Sequence, residues 1–162
     1  MTLAIRQLER HENLTPEVID TFIENHDFPI VEDTSVTFVF RGKVDEVKLK
    51  HWVYGLESSL DLVRLKTTDL WYLVLELPDR SRIEYKYDIV VDGYHRWVHD
   101  PFNPLVARDS FGINSVCCTA GYHTPEWIFE DRETRLGSIE EYVLHNTVFG
   151  AERTIYVYLP PL

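Results

Sequence analysis

Three side chains that could bind a metal ion lie close together in the sequence: His95, His99 and Asp100. Imidazole nitrogens and carboxylate oxygens are ligands of zinc and iron, but all ligands of a site must converge on one point. On a β-strand, His95 and His99 would share a face and stand roughly 13 Å apart, at about 3.3 Å per residue. Because this distance is too long for one ion, the sequence predicts no metal site and a turn-stabilising role for Asp100.

A catalytic serine of the α/β-hydrolase type requires the motif Gly-x-Ser-x-Gly, in which a strained turn exposes the hydroxyl group. The residues two positions after the seven glycines are, in chain order, Val44, Glu57, His95, Asn114, His123, Ile139 and Glu152. None of them is serine, so we predict no catalytic residues and expect that this chain alone does not hydrolyse esters. The glycines also form no phosphate-binding loop, and no cofactor is predicted.

The composition of the chain argues against several further classes of function. The 162 residues include 16 Lys and Arg against 27 Asp and Glu, a formal net charge of −11. A surface this acidic repels nucleic acids and anionic lipids, and no apolar run approaches the roughly 18 residues of a membrane helix. The charged N-terminal segment does not resemble a signal peptide. The only cysteines, Cys117 and Cys118, are adjacent in sequence and are expected to be reduced rather than joined in a disulfide. We therefore expect a cytoplasmic protein. The aromatic share of 13% favours a binding face built from aromatic side chains.

The hydrophobic pattern separates a helical segment from a series of strands. Residues 1–32 are predicted to form two short helices, the second capped by Thr15 with Pro16 at its first position. After residue 32 the hydrophobic period shortens to two, and about seven strands follow with turn signals such as Asp92-Gly93. The sequence therefore predicts an all-β fold, an antiparallel β-sandwich over residues 33–128 with a short N-terminal helical cover.

The last part of the chain differs in composition. Residues 130–135 are highly charged and are predicted to be a linker, and residues 141–145 and 154–159 are predicted to form a β-hairpin. A lone hairpin is marginally stable in water, so residues 129–162 should pack on the sandwich, on another chain or on a further domain. The apolar run at 155–158 leaves a homodimer through this terminal strand as one alternative.

One set of residues resembles a known family. The order Tyr85-Lys86-Tyr87, Asp92-Gly93, Trp97 and Asp100-Pro101 resembles the early-set, immunoglobulin-like domains of the glycogen-binding kind, over about residues 33 to 120. This resemblance implies an α-glucan-binding module, in which sugar rings stack on aromatic side chains and sugar hydroxyls bond polar side chains. The positions that it implies as sugar contacts are Lys86, Trp97, Phe111 and Asn114, with Trp52 as a weaker match.

A second resemblance extends over the whole chain. The segments at residues 28–31, 36–42, 51–56, 69–72, 100–104 and 111–117 are together similar to the N-terminal region of enterochelin-esterase-like α/β hydrolases. This resemblance implies a non-catalytic accessory domain beside a C-terminal α/β-hydrolase domain, of which residues 129–162 would contribute only the linker and first hairpin. The accessory domain would help to shape or cover the substrate cleft of an esterase. A ferric catecholate siderophore would be one ligand, and its negative charge would require cations such as Lys86 or Arg96.

Three functions thus follow from the sequence, in order of preference. The first is the esterase accessory domain, the second is the carbohydrate-binding module, and the third is a structural or oligomerisation domain. All three share one expected architecture, an immunoglobulin-like early-set β-sandwich with a short N-terminal helical segment and a C-terminal β-hairpin.

Overall fold

The computed structural model describes residues 2–110, 112–129, 136–145, 148 and 150–161, which fall into two compact units at residues 1–123 and 124–162. The helices of the first unit are α1 (Ala4–Glu9) and α2 (Pro16–Glu24). Its strands are β1 (Ile30–Glu32), β2 (Ser35–Arg41), β3 (Glu46–His51), β4 (Ser59–Asp61), β5 (Val63–Arg64), β6 (Leu70–Glu76), β7 (Arg82–Val91), β8 (Tyr94–Val98), β9 (Val106–Asp109) and β10 (Gly112–Cys118). The second unit contains a short 3₁₀ helix (Glu126–Ile128) and the strands β11 (Ser138–Leu144) and β12 (Arg153–Leu159).

The strands of the first unit form two antiparallel sheets. One sheet has the order β1-β2-β6-β5, and the six-stranded sheet has the order β4-β3-β7-β10-β9 with β8 paired to β7. Alternate side chains of both sheets fill one core, in which the rings of Phe38 and Tyr85 meet edge to face with centroids 4.9 Å apart. Trp71 of β6 is buried in this core. The predicted all-β sandwich is confirmed.

The two helices cover the other side of the four-stranded sheet. Thr15 caps α2 by accepting a hydrogen bond from the backbone N–H of Val18, and Pro16 occupies the first helical position, so the predicted helix start is confirmed. The helices and the sheet beneath them share one cluster of buried residues: Ile5, Leu8, Ile19, Phe22, Phe28, Ile30, Val39, Leu65, Leu70 and Tyr72. The central strands β2 and β6 contribute to this cluster and to the sandwich core, so both of their faces are buried.

The second unit contains the predicted C-terminal hairpin. Strands β11 and β12 pair antiparallel, from Ser138 opposite Leu159 to Leu144 opposite Arg153. The predicted linker at residues 130–135 lies outside the described residues. The domain boundaries expected after residues 32 and 128 remain predictions.

A buried carboxyl group joins the two sheets of the first unit. Asp100, which follows β8, is completely buried, and its Oδ2 accepts a 2.7 Å hydrogen bond from the Tyr85 hydroxyl. The Tyr87 hydroxyl lies 3.1 Å from the same oxygen and 3.0 Å from the carbonyl oxygen of Val39, which belongs to the opposite sheet. The Oδ1 atom accepts the backbone N–H of Phe102 at 2.8 Å, so Asp100 holds the turn as predicted. Burial raises the pKa of Asp100, although the hydrogen bonds from the tyrosines oppose that change.

The turn after β8 is fixed by further buried polar groups. Asn103 donates its side-chain N–H to the Tyr85 hydroxyl at 3.1 Å and accepts the backbone N–H of Leu105 at 2.9 Å. The backbone N–H of Asp100 donates to the Ser115 hydroxyl on β10 at 2.7 Å. These bonds satisfy the polar groups of a turn that would otherwise be costly to bury, and they make the turn part of the core.

Removal of this carboxyl group should destabilise the whole sandwich. We expect Asp100→Ala to lower the free energy of unfolding by about 3 kcal/mol, because the Tyr85 hydroxyl and the Phe102 N–H lose a buried acceptor. Urea unfolding followed by circular dichroism measures this change. Asp27→Ala, at an exposed aspartate, is the matched control and should change the unfolding free energy by less than about 0.5 kcal/mol. Equal effects of the two variants would contradict the structural role of Asp100.

The raised pKa of Asp100 also predicts a pH dependence of stability. Since the folded state binds this proton more tightly than the unfolded chain, the contribution of Asp100 to stability falls as pH rises from about 4. The non-titrating variant Asp100→Asn lacks this contribution. The difference in unfolding free energy between wild type and Asp100→Asn should therefore be largest at pH 4 and smaller at pH 7. A difference that grows with pH would show that the pKa of Asp100 is lowered rather than raised.

Candidate ligand-binding site

The candidate site is built on the outer face of the six-stranded sheet, the side opposite the sandwich core. Successive side chains of β7 alternate between the two sides of the sheet. Because Tyr85 and Tyr87 lie in the core, Glu84, Lys86 and Asp88 project from the outer face. The charged side chains of this part of β7 therefore all lie on the outer face of the sheet.

The hairpin between β7 and β8 brings an aromatic residue to this face. Asp92 and Gly93 both have positive φ, 51° and 77°, as a tight two-residue hairpin turn requires, which confirms the predicted turn. The resulting register sets Trp97 directly opposite Asp88, and Trp97 remains 53% exposed. On the other side of β7, Lys50 of β3 lies directly opposite Lys86.

A buried carboxylate organises the side chains around Trp97. The Asp88 side chain is only 5% exposed, and both of its oxygens lie 3.2 Å from Nδ1 of His95. The ammonium group of Lys50 lies 3.8 Å from Asp88 Oδ2 and 5.8 Å from the centre of the Trp97 ring, where it makes a cation–π contact. It also donates a 2.8 Å hydrogen bond to the Ser59 hydroxyl. These contacts hold a cation beside an exposed indole ring.

A groove with a volume of about 690 Å³ lies farther along the same sheet. It is lined by Trp52, Val53, Ser81, Arg82, Ile83, Glu84, Asp109 and Asn114. Strand β3 ends at His51, and the following residues no longer pair with β7, which makes room for the groove. Trp52 is 65% exposed and forms an aromatic wall, whereas Asn114 is only 4% exposed. The groove therefore combines an accessible ring with a buried polar residue.

Asn114 directs its amide hydrogens towards two carboxylates. Its Nδ2 donates to Glu84 Oε2 at 2.8 Å and to Asp109 Oδ2 at 3.0 Å. Arg82 Nη1 donates to the other oxygen of Glu84 at 2.9 Å. The hydrogen bond from Asn114 lowers the pKa of Glu84, and Arg82 acts in the same direction, against the effect of partial burial. Glu84 is therefore ionised at neutral pH, and the side-chain donor of Asn114 is already engaged within the protein.

The structure brings most of the predicted ligand-binding residues to one face. Lys86, Trp97 and Asn114 belong to the outer face, and Trp52 lines its groove. Arg96 is exposed but lies opposite Ile89, a core residue, and so projects from the other side of β8. Phe111 lies outside the described residues. Whether these residues bind a ligand remains a prediction.

Four polar residues of the face were not predicted from the sequence. No role was assigned to Glu84, Asp88, Lys50 or Asp109. Their roles depend on pairs such as Glu84 with Asn114, thirty positions apart in sequence. Strand alternation could have placed the first three on the outer face, but no local signal identifies their partners.

The predicted absence of a metal site and of a membrane helix can be compared with the described part of the chain. Within it, no group of three or more histidine, cysteine, aspartate or glutamate side chains is arranged to hold a metal ion. The ring of His95 contacts Asp88, whereas Nδ1 of His99 lies 3.3 Å from the carbonyl oxygen of Asp100. Among these residues, no helix has the length and apolar character needed to cross a membrane.

The hydrogen bonds of Asn114 predict a measurable coupling to Glu84. In Asn114→Ala both bonds are lost, so the pKa of Glu84 should rise, and the stabilisation that its ionised form provides above pH 5 should be reduced. A pH titration of the glutamate side-chain carbons by NMR measures this pKa. Glu76, whose pKa is lowered by hydrogen bonds from Ser35 and Thr34, is the internal control and should not change. An unchanged pKa of Glu84 would contradict the coupling.

Comparison with known proteins establishes the fold. No protein-family model matches the sequence, and no curated protein matches it. Among solved structures, the enterobactin esterase of Shigella flexneri with enterobactin has a TM-score of 0.60 at 14% identity, covering 85% of this chain and 44% of the esterase. The same esterase with 2,3-dihydroxy-N-benzoyl-glycine gives a TM-score of 0.59 at 15% identity over the same shares of the two chains.

The ferric enterobactin esterase of Salmonella typhimurium is also similar, with a TM-score of 0.54 at 15% identity over 75% of this chain and 40% of that chain. This chain thus spans less than half the length of the esterases that it matches. Identities this low establish a shared fold and nothing further. The chain has the fold of a part of these enterobactin esterases, as the sequence resemblance predicted.

Proposed function

We propose that this chain is a non-catalytic N-terminal accessory domain of an enterochelin-esterase-like protein, and that it helps to shape or cover the substrate cleft of a hydrolase domain. The observation that carries this proposal is the shared fold over 85% of this chain and only 44% of an enterobactin esterase. The sequence supports it, because none of its seven glycines begins a Gly-x-Ser motif. Its principal partner is then a C-terminal α/β-hydrolase domain in the cytoplasm.

The outer face supplies chemistry suited to a catecholate ligand. An exposed indole at Trp97 can stack on a catechol ring, and the ammonium groups of Lys50 and Lys86 can offset the negative charge of the catecholate oxygens. These two lysines place ammonium groups on this face of a chain whose net charge is −11, and the Lys50 ammonium also lies 3.8 Å from Asp88 Oδ2. We therefore propose a catecholate siderophore, free or bound to iron, as the ligand that this face helps to position.

A second candidate function is the binding of an α-glucan on the same face. It is favoured by the two exposed indoles, Trp52 and Trp97, on the side of the sheet that also carries Lys86. Indole rings stack on the apolar faces of sugars, and Lys86 can donate hydrogen bonds to their hydroxyls. Asn114 supports this function less, since its amide N–H groups already bond Glu84 and Asp109. Dimerisation through β12 is retained as the third alternative.

Calorimetric titration of the purified chain separates the first two functions. With 2,3-dihydroxy-N-benzoyl-serine we expect saturable binding that weakens roughly tenfold in Trp97→Ala, because ring stacking is lost. Trp127→Ala, at another exposed tryptophan, is the matched control and should bind as the wild type does. The chain should also release no product from enterobactin.

The outcome of this titration decides between the alternatives. Binding of maltoheptaose but not of the catechol compound, lost in Trp97→Ala, would replace the accessory role with the glucan-binding function. Turnover of enterobactin by the isolated chain would contradict the proposed non-catalytic role. Sedimentation over a concentration series tests the third alternative, for which a monomer at every concentration would be the contradicting result.

A further inference from the structure

The loop at residues 52–57, which follows β3, forms part of the groove on the outer face. It supplies Trp52 and Val53 to the lining of the groove. In the described part of the chain this loop makes two hydrogen bonds. The Leu56 N–H donates to the Val53 carbonyl oxygen at 3.2 Å, and the Val53 N–H donates to Nδ1 of His51 at 3.1 Å. Because the first bond lies within the loop, the His51 side chain is its hydrogen-bond connection to the sheet.

His51 can make this connection only while its imidazole ring is neutral. A ring nitrogen that accepts a hydrogen bond carries no proton, so Nε2 carries the single proton of the neutral ring. In the charged imidazolium both nitrogens are donors. Protonated Nδ1 would then face the N–H of Val53, donor against donor. The bond between His51 and Val53 is therefore lost when His51 becomes charged.

The position of His51 also disfavours the charged form of its ring. Its side chain projects from β3 on the same side as Val47 and Leu49, into the sandwich core, and it is 1% exposed. Nε2 is buried and makes no hydrogen bond within the part of the chain that the structure describes. Burial lowers the pKa of His51, and the backbone carbonyl of Glu57 opposes only part of this decrease.

The ionisable groups around His51 do not compensate a positive charge on its ring. The residue directly opposite on β7 is Tyr85, whose hydroxyl donates to Asp100. Lys50 projects from the outer face, and Glu57 acts on His51 through its backbone carbonyl. Across the core, β2 and β6 contribute apolar side chains at alternate positions. The charged residues that line the groove are Arg82, Glu84 and Asp109. Among the described residues, no charged side chain contributes to the change in the pKa of His51.

We propose that His51 is a pH-sensitive switch, which holds the 52–57 loop in place at neutral pH and releases the loop, with Trp52 and Val53, when its ring is protonated. The released loop exposes His51 to water, so the open form binds the proton more tightly than the closed form does. The closed form therefore loses stability as pH falls below the ordinary imidazole pKa of about 6.5.

The size of this effect follows from proton linkage. The ratio of closed to open loop should fall up to about tenfold for each pH unit, until the lower pKa of the closed form is reached. A ligand that contacts Trp52 would then bind more weakly in acid than at neutral pH. This inference does not rest on the proposed esterase role, since it concerns the loop itself and not the cluster around Trp97.

NMR titration of the isotope-labelled chain between about pH 7.5 and pH 5 tests the proposal. The His51 ring nitrogens report its tautomer and protonation, and the Val53 amide and the Trp52 indole N–H report the state of the loop. We expect the Nε2-protonated tautomer at the higher pH and one shared apparent pKa for all three signals. The opening constant of the Val53 amide from hydrogen exchange should rise in acid, while the amides of β7 stay protected. Unchanged Val53 and Trp52 signals while His51 becomes charged would overturn the proposal.

Two variants separate the hydrogen-bond acceptor from the titrating proton. His51→Asn keeps an oxygen that can accept the N–H two residues on, as in an Asx turn, but it does not titrate, so the loop should stay closed in acid. His51→Phe has no acceptor, so the opening constant of the Val53 amide should rise about tenfold even at neutral pH. His123→Gln, at an exposed histidine, is the matched control and should respond to pH as the wild type does.

The comparison of wild type with His51→Asn decides the outcome, even if His51→Phe fails to fold. Loss of the acid response in His51→Asn, with retention in His123→Gln, supports the switch. An acid response of Val53 and Trp52 that persists in His51→Asn would show that another group controls the loop, and would overturn the proposal.

Discussion

The structure of the first unit depends on the buried carboxyl group of Asp100. A carboxyl group removed from water is costly unless its oxygens are hydrogen bonded, and here the donors are the Tyr85 hydroxyl, the Phe102 N–H and the shared hydroxyl of Tyr87. Because Tyr87 also reaches the carbonyl of Val39, the same group connects the turn after β8 to both sheets. The sandwich therefore has a polar connection at its centre as well as an apolar core.

The side chains on the inner face of β7 determine which side chains lie on its outer face. Tyr85 and Tyr87 must point inwards to reach Asp100, so strand alternation leaves Glu84, Lys86 and Asp88 no position other than the outer face. A shift of register by one residue would bury these charges and expose the tyrosines. The hydrogen bonds that stabilise the core therefore also fix which charged side chains lie on the outer face.

Local sequence signals were sufficient for much of the fold. Thr15 and Pro16 identified the start of α2, Asp92-Gly93 identified the β7–β8 turn, and the change to a hydrophobic period of two identified the strands. The candidate site was predicted less completely. Lys86 and Trp97 lie on one face of the sheet, but their role as ligand contacts remains a prediction, and the hydrogen bonds of Asn114 to two carboxylates could not be foreseen. Such contacts depend on strand register, which joins residues that are distant in the sequence.

Native-state hydrogen exchange tests most directly whether the Asp100 turn and the sandwich form one cooperative unit. The backbone N–H groups of Asp100, Phe102 and Leu105 all donate to side chains of this network. We expect them to exchange with the same free energy of opening as the central amides of β7, since all of them should open only when the unit unfolds. Rapid exchange of these three amides while β7 remains protected would contradict the account.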